Sequence, residues 1–287
     1  MICAIGVVAI IQEDTAGRAY NDRMDEMQLV VIDIGNTRTC VGVARQRAIH
    51  EAKTATNGDL AHVTQLVLTA QASISGDQTA PIVIASVNDV FADQLESALA
   101  DQLGSRPYRV GRDLPIPVSC DLSPEALTGQ DRLLNATAAW AVLQQACIVV
   151  DAGTAVTVDF IDGTGVFHGG AIAPGASMQL QSLHEHTEAL PELTFDRPDD
   201  DPFGRDTAQA MLQGVYHGVQ GLVRRLAEKY ASYYEAYPTI IATGGDAEAI
   251  FGADELVDRI VPDLTLLGIA VAAQEALTTA SGEDETT

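Results

Sequence analysis

Short apolar runs alternate with longer segments of helical spacing along most of the chain. Within residues 28–45, two β-rich runs flank Gly35-Asn36-Thr37, a pattern typical of a hairpin. Apolar residues three and four positions apart over residues 58–71 predict a helix. The same criteria predict the remaining elements: strands over 81–87, 108–110, 147–162 (two runs about a glycine turn), 167–172 and 239–245, and helices over 91–103, 127–146, 207–230 and 264–277.

The opening of this pattern occurs twice. Residues 32–37 (IDIGNT) and 150–155 (VDAGTA) each lead from an apolar strand through Asp, any residue and Gly into a turn and a second strand. A repeated strand–turn–strand unit, each followed by helices, is typical of homologous α/β halves. We therefore expect two such halves with a cleft between them, the first over residues 28–145 and the second over residues 146–278.

Both ends of the chain lie outside the repeated pattern. Residues 2–11 are apolar, but no Lys or Arg precedes them and the run is too short to span a bilayer. Our hypothesis is that residues 1–27 are an N-terminal extension and that translation starts at Met24 or Met27, directly before the first strand. Residues 279–287 are predicted to be a disordered acidic tail.

The charge and residue usage exclude several classes of function. With 40 acidic and 16 basic residues the net charge is −24, which argues against nucleic acid or an anionic membrane as the main partner. Lysine occurs only at Lys53 and Lys229, so the chain has no GxxxxGK[ST] loop. The four cysteines form no CxxC pair, which predicts neither a zinc site nor a disulfide framework and favours reduced thiols in the cytoplasm.

The repeated Asp-x-Gly turn is suited to binding phosphate without lysine. Such a turn presents main-chain N–H groups to phosphate oxygens, and the carboxylate of Asp33 or Asp151 at the strand end can hold a metal ion or its waters. Gly244-Gly245, at the end of another predicted strand, lets the main chain approach a flat ligand such as adenosine. A single turn of this kind is more often an ordinary hairpin, but two in corresponding places favour a nucleotide site.

Taken together, these motifs resemble the actin-like ATPase and sugar-kinase superfamily and, within it, the type III pantothenate kinases. The resemblance covers residues 28–278 in order. It implies two ribonuclease-H-like α/β halves and ATP-dependent phosphorylation of the primary hydroxyl of pantothenate, the first step toward coenzyme A. The segments that carry it are Asp33–Thr37, Ile84–Val87, Gly129–Arg132 with Asn135 and Ala138, Asp151–Asp159, Gly169–Gly175, Thr207 with Gly214, and Gly244–Asp246.

The resemblance also implies roles for individual residues. Asp131 matches the family's general base, Asp151 a potassium (or ammonium) ligand, and Asp33 a direct or water-mediated anchor for Mg²⁺. It further implies a cytoplasmic homodimer that binds substrate at the subunit interface. The ATP contacts would be Asp33, Ile34, Gly35, Asn36, Thr37, Arg38, Thr39, Cys40, Thr154, Gly244 and Gly245. The pantothenate contacts would be Gly129, Gln130, Asp131, Arg132 and Thr207.

The residues by themselves leave other interpretations open. Asp131 and Arg132 could be a charged pair in the first turn of a helix, where an Asp favours the helix dipole, and Asp206 competes with Thr207 as a helix cap. A non-catalytic nucleotide-binding regulatory protein, or another small-molecule kinase or phosphatase of the superfamily, would share the fold. One departure is that the family commonly has a Tyr just before the Gly-x-Asp-Arg motif, whereas residues 118–124 contain no aromatic residue.

Overall fold

The structure is a computed structural model that describes residues 27–74 and 80–283, with side chains placed up to residue 278. The hypothesised extension up to residue 26 and the last four residues of the predicted tail lie outside the described residues. Contacts divide the chain into two compact units. Of the described residues, the first unit comprises those up to Val118, Glu125–Leu143 and those from Asp263 onward, and the second comprises Ser119–Pro124 and Gln144–Pro262.

The strands of each unit form one sheet. In the first unit the strands are β1 (Leu29–Ile34), β2 (Arg38–Arg45), β3 (Ala48–Thr56), β4 (Ile82–Ser86) and β5 (Tyr108–Arg109). In the second unit they are β6 (Ser119–Cys120), β7 (Cys147–Ala152), β8 (Ala155–Ile161), β9 (Val166–Pro174), β10 (Thr239–Thr243) and β11 (Arg259–Ile260).

The helices flank these sheets in both units. Those of the first unit are α1 (Leu60–Ser73), α2 (Asp89–Leu103), α3 (Gln130–Leu143) and α7 (Leu264–Glu283). Those of the second unit are α4 (Ala176–Glu185), α5 (Thr207–Tyr234) and α6 (Ala247–Phe251). In the described part of the chain, none of these helices combines the length and apolar character that crossing a membrane requires.

The two sheets repeat one strand order, which confirms the predicted pair of similar α/β halves. The first sheet has the order β3-β2-β1-β4-β5, and the second contains the matching order β9-β8-β7-β10-β11 with β6 added beside β9. In each sheet the first three strands are antiparallel and the last two join in parallel. The Asp-x-Gly turns therefore occupy equivalent positions, between β1 and β2 and between β7 and β8.

Strand β1 is buried on both faces, which explains its nearly continuous apolar sequence. Val30, Ile32 and Ile34 lie in a core with α1 and α2. The alternate residues Leu29 and Val31 lie in a second core with α3 and α7. A strand between two helical layers needs an apolar side chain at every position, because successive side chains point to opposite faces.

The last helix, α7, differs from its predicted place. The sequence pattern puts it in the second half, which was expected to extend over residues 146–278, but α7 packs in the first unit. Leu266, Ile269 and Ala273 fill the core beside β1, and the main chain at Gly268 lies directly against that of Leu134 in α3. The helix also runs through Glu283, so it includes residues 279–283 of the predicted tail.

Helix α5 matches its prediction, and its three glycines have no close neighbour from another described element of this chain. The sequence pattern suggests that Gly214, Gly218 and Gly221 leave room for a close neighbour. In the structure, no described atom beyond the adjoining turns of α5 itself lies within 4 Å of the point where a Cβ would stand on any of the three. The opposite face of α5 supplies the core contacts of the second unit, through residues such as Val215 and Val223.

Strand β3 and helix α4 are not predicted by the sequence pattern. The residues of β3 (AIHEAKTAT) are mostly exposed, with only Ala55 buried. Its structure comes from main-chain pairing with β2 at the edge of the sheet. An exposed edge strand lacks the apolar alternation that identifies half-buried strands, so its sequence carries little periodic signal.

Candidate functional site

The first Asp-x-Gly turn is a tight connection between β1 and β2. The N–H of Gly35 donates to the carbonyl of Arg38 at 2.9 Å and closes the turn. Asn36, Thr37 and Arg38 are exposed at its tip, whereas Thr39 just beyond it is fully buried. The turn therefore presents its tip to solvent from a fixed base, as the predicted ATP loop requires.

The carboxylate of Asp33 and the thiol of Cys40 belong to directly paired positions of β1 and β2. Asp33 is half-buried at the strand end. Burial raises the pKa of the Cys40 thiol, and the nearby carboxylates of Asp263 and Asp33 act in the same direction, while the Thr54 hydroxyl bond lowers it. Cys40 is therefore protonated at neutral pH, so a role in this turn would be packing and contact, not nucleophilic attack.

Asn57, which the motif analysis missed, lies against the base of this turn. Its Nδ2 donates to the carbonyl of Gly35 at 2.8 Å, and its Oδ1 accepts from the hydroxyl of Thr39 at 2.7 Å. Its main-chain N–H donates to the carbonyl of Thr37 at 3.1 Å. In the sequence, Asn57 and Gly58 give only the signal of an ordinary turn. The pairing of β2 with β3 is what brings Asn57 to the predicted ATP loop.

The predicted pantothenate motif begins α3. Asp131 lies in the first helical turn, where its Oδ1 accepts from the N–H of Arg132 at 2.9 Å. A Cβ on Gly129 would collide with this same carboxylate oxygen. The Gly-x-Asp spacing thus has a local physical reason, because a residue larger than Gly at position 129 would displace the Asp131 carboxylate from this position.

Gln130 of the same motif contacts a second glycine of the first unit. A Cβ on Gly111, which has a φ of 82°, would meet the side-chain amide of Gln130. Gly111 lies in the short loop after β5, where its N–H donates to the carbonyl of Leu114 at 2.8 Å. The predicted pantothenate motif therefore contacts the loop that follows β5.

An ion-pair network precedes this loop. Glu96 of α2 accepts hydrogen bonds from the guanidinium groups of Arg106, Arg109 and Arg112 at 2.7–3.3 Å. Burial by itself would raise the pKa of Glu96, but the hydrogen bonds from Arg109, Arg106 and Arg112 outweigh it and hold this pKa below its usual value. Because Arg109 and Arg112 flank the loop that contacts Gln130, the network braces the loop on which the predicted pantothenate motif rests.

The second Asp-x-Gly turn joins β7 to β8 and contacts the start of α4. The N–H of Gly153 donates to the carbonyl of Ala155 at 3.0 Å, and the N–H of Gly175 donates to the carbonyl of Thr154 at 3.0 Å. A Cβ on Gly175 would overlap the carbonyls of Gly153 and Thr154. Thr154 is exposed, so its side chain is accessible to a ligand.

Asp151 and the Gly244-Gly245 pair come together at the ends of two parallel strands. Asp151 on β7 pairs with Thr243 on β10. A Cβ on Gly244, which has a φ of 95°, would stand 2.5 Å from the Oδ1 of Asp151 and would also strike the carbonyl of Ala152. Gly245 is exposed, with open space around the position of its missing side chain.

Thr207 is the first residue of α5 and is exposed. The cap of this helix is Asp206, whose carboxylate accepts from the N–H of Gln209 at 2.8 Å. The alternative cap considered in the sequence is therefore the one present, and the Thr207 hydroxyl is not needed for capping.

A separate cavity of about 500 Å³ lies elsewhere in the second unit. Its walls come from residues 197–202, from the middle of α5 and from residues 253–255. It includes none of the predicted site residues. Among the described residues, no group of three or more His, Cys, Asp or Glu side chains is placed to hold a metal ion.

The fold and these turns define a class of protein. The chain resembles a conserved Baf family protein from Campylobacter jejuni, with a TM-score of 0.57 and 18% identity over 88% of this chain and 99% of that one. It also resembles the activator of 2-hydroxyisocaproyl-CoA dehydratase from Clostridium difficile, solved with bound ADPNP, with a TM-score of 0.50 and 12% identity over 91% and 98% of the two chains. Together with the repeated strand order, these likenesses show the fold of two similar α/β units that the resemblance to the actin-like ATPases and sugar kinases implies.

Sequence comparison then identifies the family. The sequence profile of the type III pantothenate kinases matches residues 29–229. The chain is 32% identical over 249 residues to the type III pantothenate kinase of Syntrophotalea carbinolica, covering 85% of this chain and 97% of that one. It is 34% identical over 249 residues to that of Rhodospirillum rubrum, covering 85% and 96%. The chain therefore belongs to the type III pantothenate kinase family, as its motifs predict.

Proposed function

We propose that this protein transfers the γ-phosphoryl group of ATP to the primary hydroxyl of pantothenate, the first step of coenzyme A synthesis, with Asp131 as the general base. The observation that carries the proposal is the seating of Asp131. In a chain of this family, Gly129 gives its carboxylate room and the Arg132 N–H fixes one of its oxygens. The compartment that fits this ATP-dependent reaction is the cytoplasm.

The proposed contacts are those that the family resemblance implies, and the exposure of several of these segments supports them. In the first unit, residues 33–40 contact ATP through the exposed tip of their turn, and Gly129–Arg132 bind pantothenate. In the second unit, the exposed Thr154 and the open main chain of Gly244 and Gly245 contact ATP, and Thr207 contacts pantothenate. Arg132 can pair with the pantothenate carboxylate through two parallel N–H donors.

Phosphoryl transfer needs positioning and charge neutralisation more than covalent catalysis. Its transition state is loose, with charge spread over the equatorial oxygens. Main-chain groups held by the turns need little reorganisation when that charge develops. Asp131 only has to accept the hydroxyl proton as the new bond forms, which a carboxylate does within hydrogen-bond distance of the acceptor.

The proposed cation sites fit the donors that the turns offer. Mg²⁺ is commonly held by one or two carboxylates together with substrate phosphates, so the strand-end carboxylate of Asp33 matches an anchor for Mg²⁺ that arrives with ATP. Asp151 lies beside the main chain of Gly244 and the carbonyl of Ala152. An oxygen-only set of this kind suits a hard cation, such as the proposed K⁺ or NH₄⁺. When bound, these ions would supply positive charge against the phosphates.

The glycines of α5 support a homodimer. A Gly inside a helix costs about 1 kcal/mol relative to Ala, yet space for a side chain is open at Gly214, Gly218 and Gly221, with no described atom beyond the adjoining helix turns within 4 Å of a Cβ placed there. All three are exposed. A second copy of the chain, approaching closely along this face, would explain the small residues at these positions.

The decisive experiment measures ADP release by the purified protein with ATP, Mg²⁺ and K⁺. We expect release only when pantothenate is added. Asp131→Asn should lower kcat by about 10²–10⁴-fold, the contribution of a positioned base, while ATP binding persists. Asp101→Asn, an exposed Asp on α2, is the matched control and should leave turnover unchanged.

Two results would count against the proposal. A wild-type rate for Asp131→Asn would remove Asp131 from the role of base. ADP release that does not depend on pantothenate, or that requires a different acceptor, would overturn the activity itself.

A further inference from the structure

Asn57 lies outside every motif of the family resemblance, yet it holds the turn that we propose as the ATP loop. It follows β3 directly, where the end of that strand lies beside the start of β2. From this position it reaches Gly35, Thr37 and Thr39 with three hydrogen bonds of 2.7–3.1 Å. The turn is thus fixed from outside the β1–β2 hairpin as well as from within it.

The chemistry of these bonds is specific to an amide side chain. The carbonyl of Gly35 can only accept, so the group that faces it must be the Nδ2 of Asn57. The hydroxyl of Thr39 donates to the remaining Oδ1. Because Thr39 is fully buried, its hydroxyl needs a protein partner, and Asn57 supplies one.

The location of these bonds determines what they affect. They hold the base of the turn, while its exposed tip at residues 36–38 is left open to a ligand. A main-chain anion site binds well only when its N–H groups are fixed before the ligand arrives, because ordering them on binding weakens affinity. Loss of Asn57 would therefore weaken binding at the tip even though Asn57 itself is at the base.

We infer that Asn57 is a positioning residue that preorganises residues 35–39 to bind the phosphates of ATP. This inference rests on the proposed assignment of residues 33–40 to ATP. It adds a residue that acts through the turn, without touching the nucleotide, and it connects ATP binding to the edge strand β3.

The test compares the Michaelis constants for both substrates. Asn57→Ala should raise the KM for ATP by about tenfold, the effect of losing two ordinary hydrogen bonds, and leave the KM for pantothenate unchanged. Asn57→Asp should be at least as damaging, because it keeps the acceptor for Thr39 but places a carboxylate oxygen opposite the carbonyl of Gly35. Thr39→Val with Asn57→Ala should raise the KM for ATP less than the product of the single effects, since both remove the same bond.

The control is Gln71→Ala, a comparable side chain of the first unit. Its Nε2 donates to the carbonyl of Ala80 at 3.0 Å, next to β4. This variant should lower stability without changing the KM for ATP. An equal effect of Gln71→Ala would mean that Asn57 acts only through general loosening of the unit, which would overturn the inference.

A further variant separates this inference from the proposed site. If Asp33→Asn raises the KM for ATP but Asn57→Ala does not, the ATP loop stands and the positioning role is wrong. If neither variant changes the KM for ATP, the assignment of this turn to ATP is wrong, and the inference fails with it.

Discussion

Replacing Glu96 tests whether its ion pairs with three arginines stabilise the first unit, beside the loop that contacts the predicted pantothenate motif. Its side chain is 3% exposed and accepts hydrogen bonds from Arg106, Arg109 and Arg112. Glu96→Gln removes the negative charge with almost no change in shape. The three guanidinium groups then face a neutral amide. On α2, the charge of the buried Arg109 is then balanced by Asp89, at 2.7 Å, and by Asp93.

The expected loss of stability can be worked from the surroundings of each arginine. Breaking a buried ion pair costs about 3–5 kcal/mol when the remaining charge is left without a partner. Arg106 and Arg112 are 65% and 38% exposed, so water can solvate them, and Arg109 retains Asp89 and Asp93. The loss therefore falls at the lower end, at about 3 kcal/mol.

The assay is urea unfolding followed by the fluorescence of Trp140. This is the single tryptophan of the chain and lies on α3 of the first unit. At a slope of about 2 kcal/mol per molar urea, the midpoint should fall by about 1.5 M. Glu228→Gln is the matched control, because Glu228 forms an exposed pair with Arg225 at 3.2 Å. That pair is worth no more than about 0.5 kcal/mol.

Comparing the stability of wild type and Glu96→Gln as a function of pH gives a second test, for which the direction of the change can be stated. The folded-state pKa of Glu96 is lowered, so its stabilisation is fully present above the unfolded value of about 4.3 and is lost as pH falls through the folded value. The difference between wild type and Glu96→Gln should therefore be largest near neutral pH and shrink in acid. A loss below about 1 kcal/mol at pH 7, or a difference that does not shrink in acid, would refute this account of the network.

Three further outcomes follow from single contacts. Gly268→Ala should destabilise the protein by about 1–3 kcal/mol despite the better helix propensity of Ala, because its methyl group would overlap the main chain of Leu134; an unchanged urea midpoint would contradict this contact. Gly218→Leu should convert the proposed homodimer into a monomer in sedimentation measurements, whereas a persistent dimer would exclude this face. Iodoacetamide at pH 8 should label the exposed Cys120 well before Cys147, since burial raises the pKa of the Cys147 thiol to about 12; equal labelling rates in the folded protein would show that Cys147 is accessible.

Many of the main elements of the fold could be predicted from local patterns. The continuous apolar run of β1 and the repeat of its Asp-x-Gly turn at β7 follow from residues that are neighbours in the chain. Their periodicity is enough to indicate strands and hairpins. The exposed edge strand β3 has no such periodicity, and it carries Asn57 to the turn only through pairing with β2.

In the candidate site too, some features follow from local sequence and others depend on strand pairing. The sequence identifies Asp131 by its motif, and the structure adds a reason for Gly129, because a Cβ at position 129 would occupy the place of the Asp131 carboxylate. Asp151 and Gly244 are recognisable as separate motifs, but their contact depends on the parallel pairing of β7 with β10. A motif shows which types of residue the chemistry needs. Contacts between residues far apart in the sequence depend on how the strands pair in the sheet.

The sequence by itself determined the repeated α/β architecture, the phosphate-type turns and the family, since each depends on residue order and local spacing. Only the tertiary structure decided that α7 completes the core of the first unit, that Gly268 lies against α3, and that Asn57 holds the first turn. The physical reason is that burial and hydrogen bonding join residues far apart in the chain. An apolar helix such as α7 satisfies the same sequence pattern on either sheet, and shape complementarity with its neighbours selects one of them.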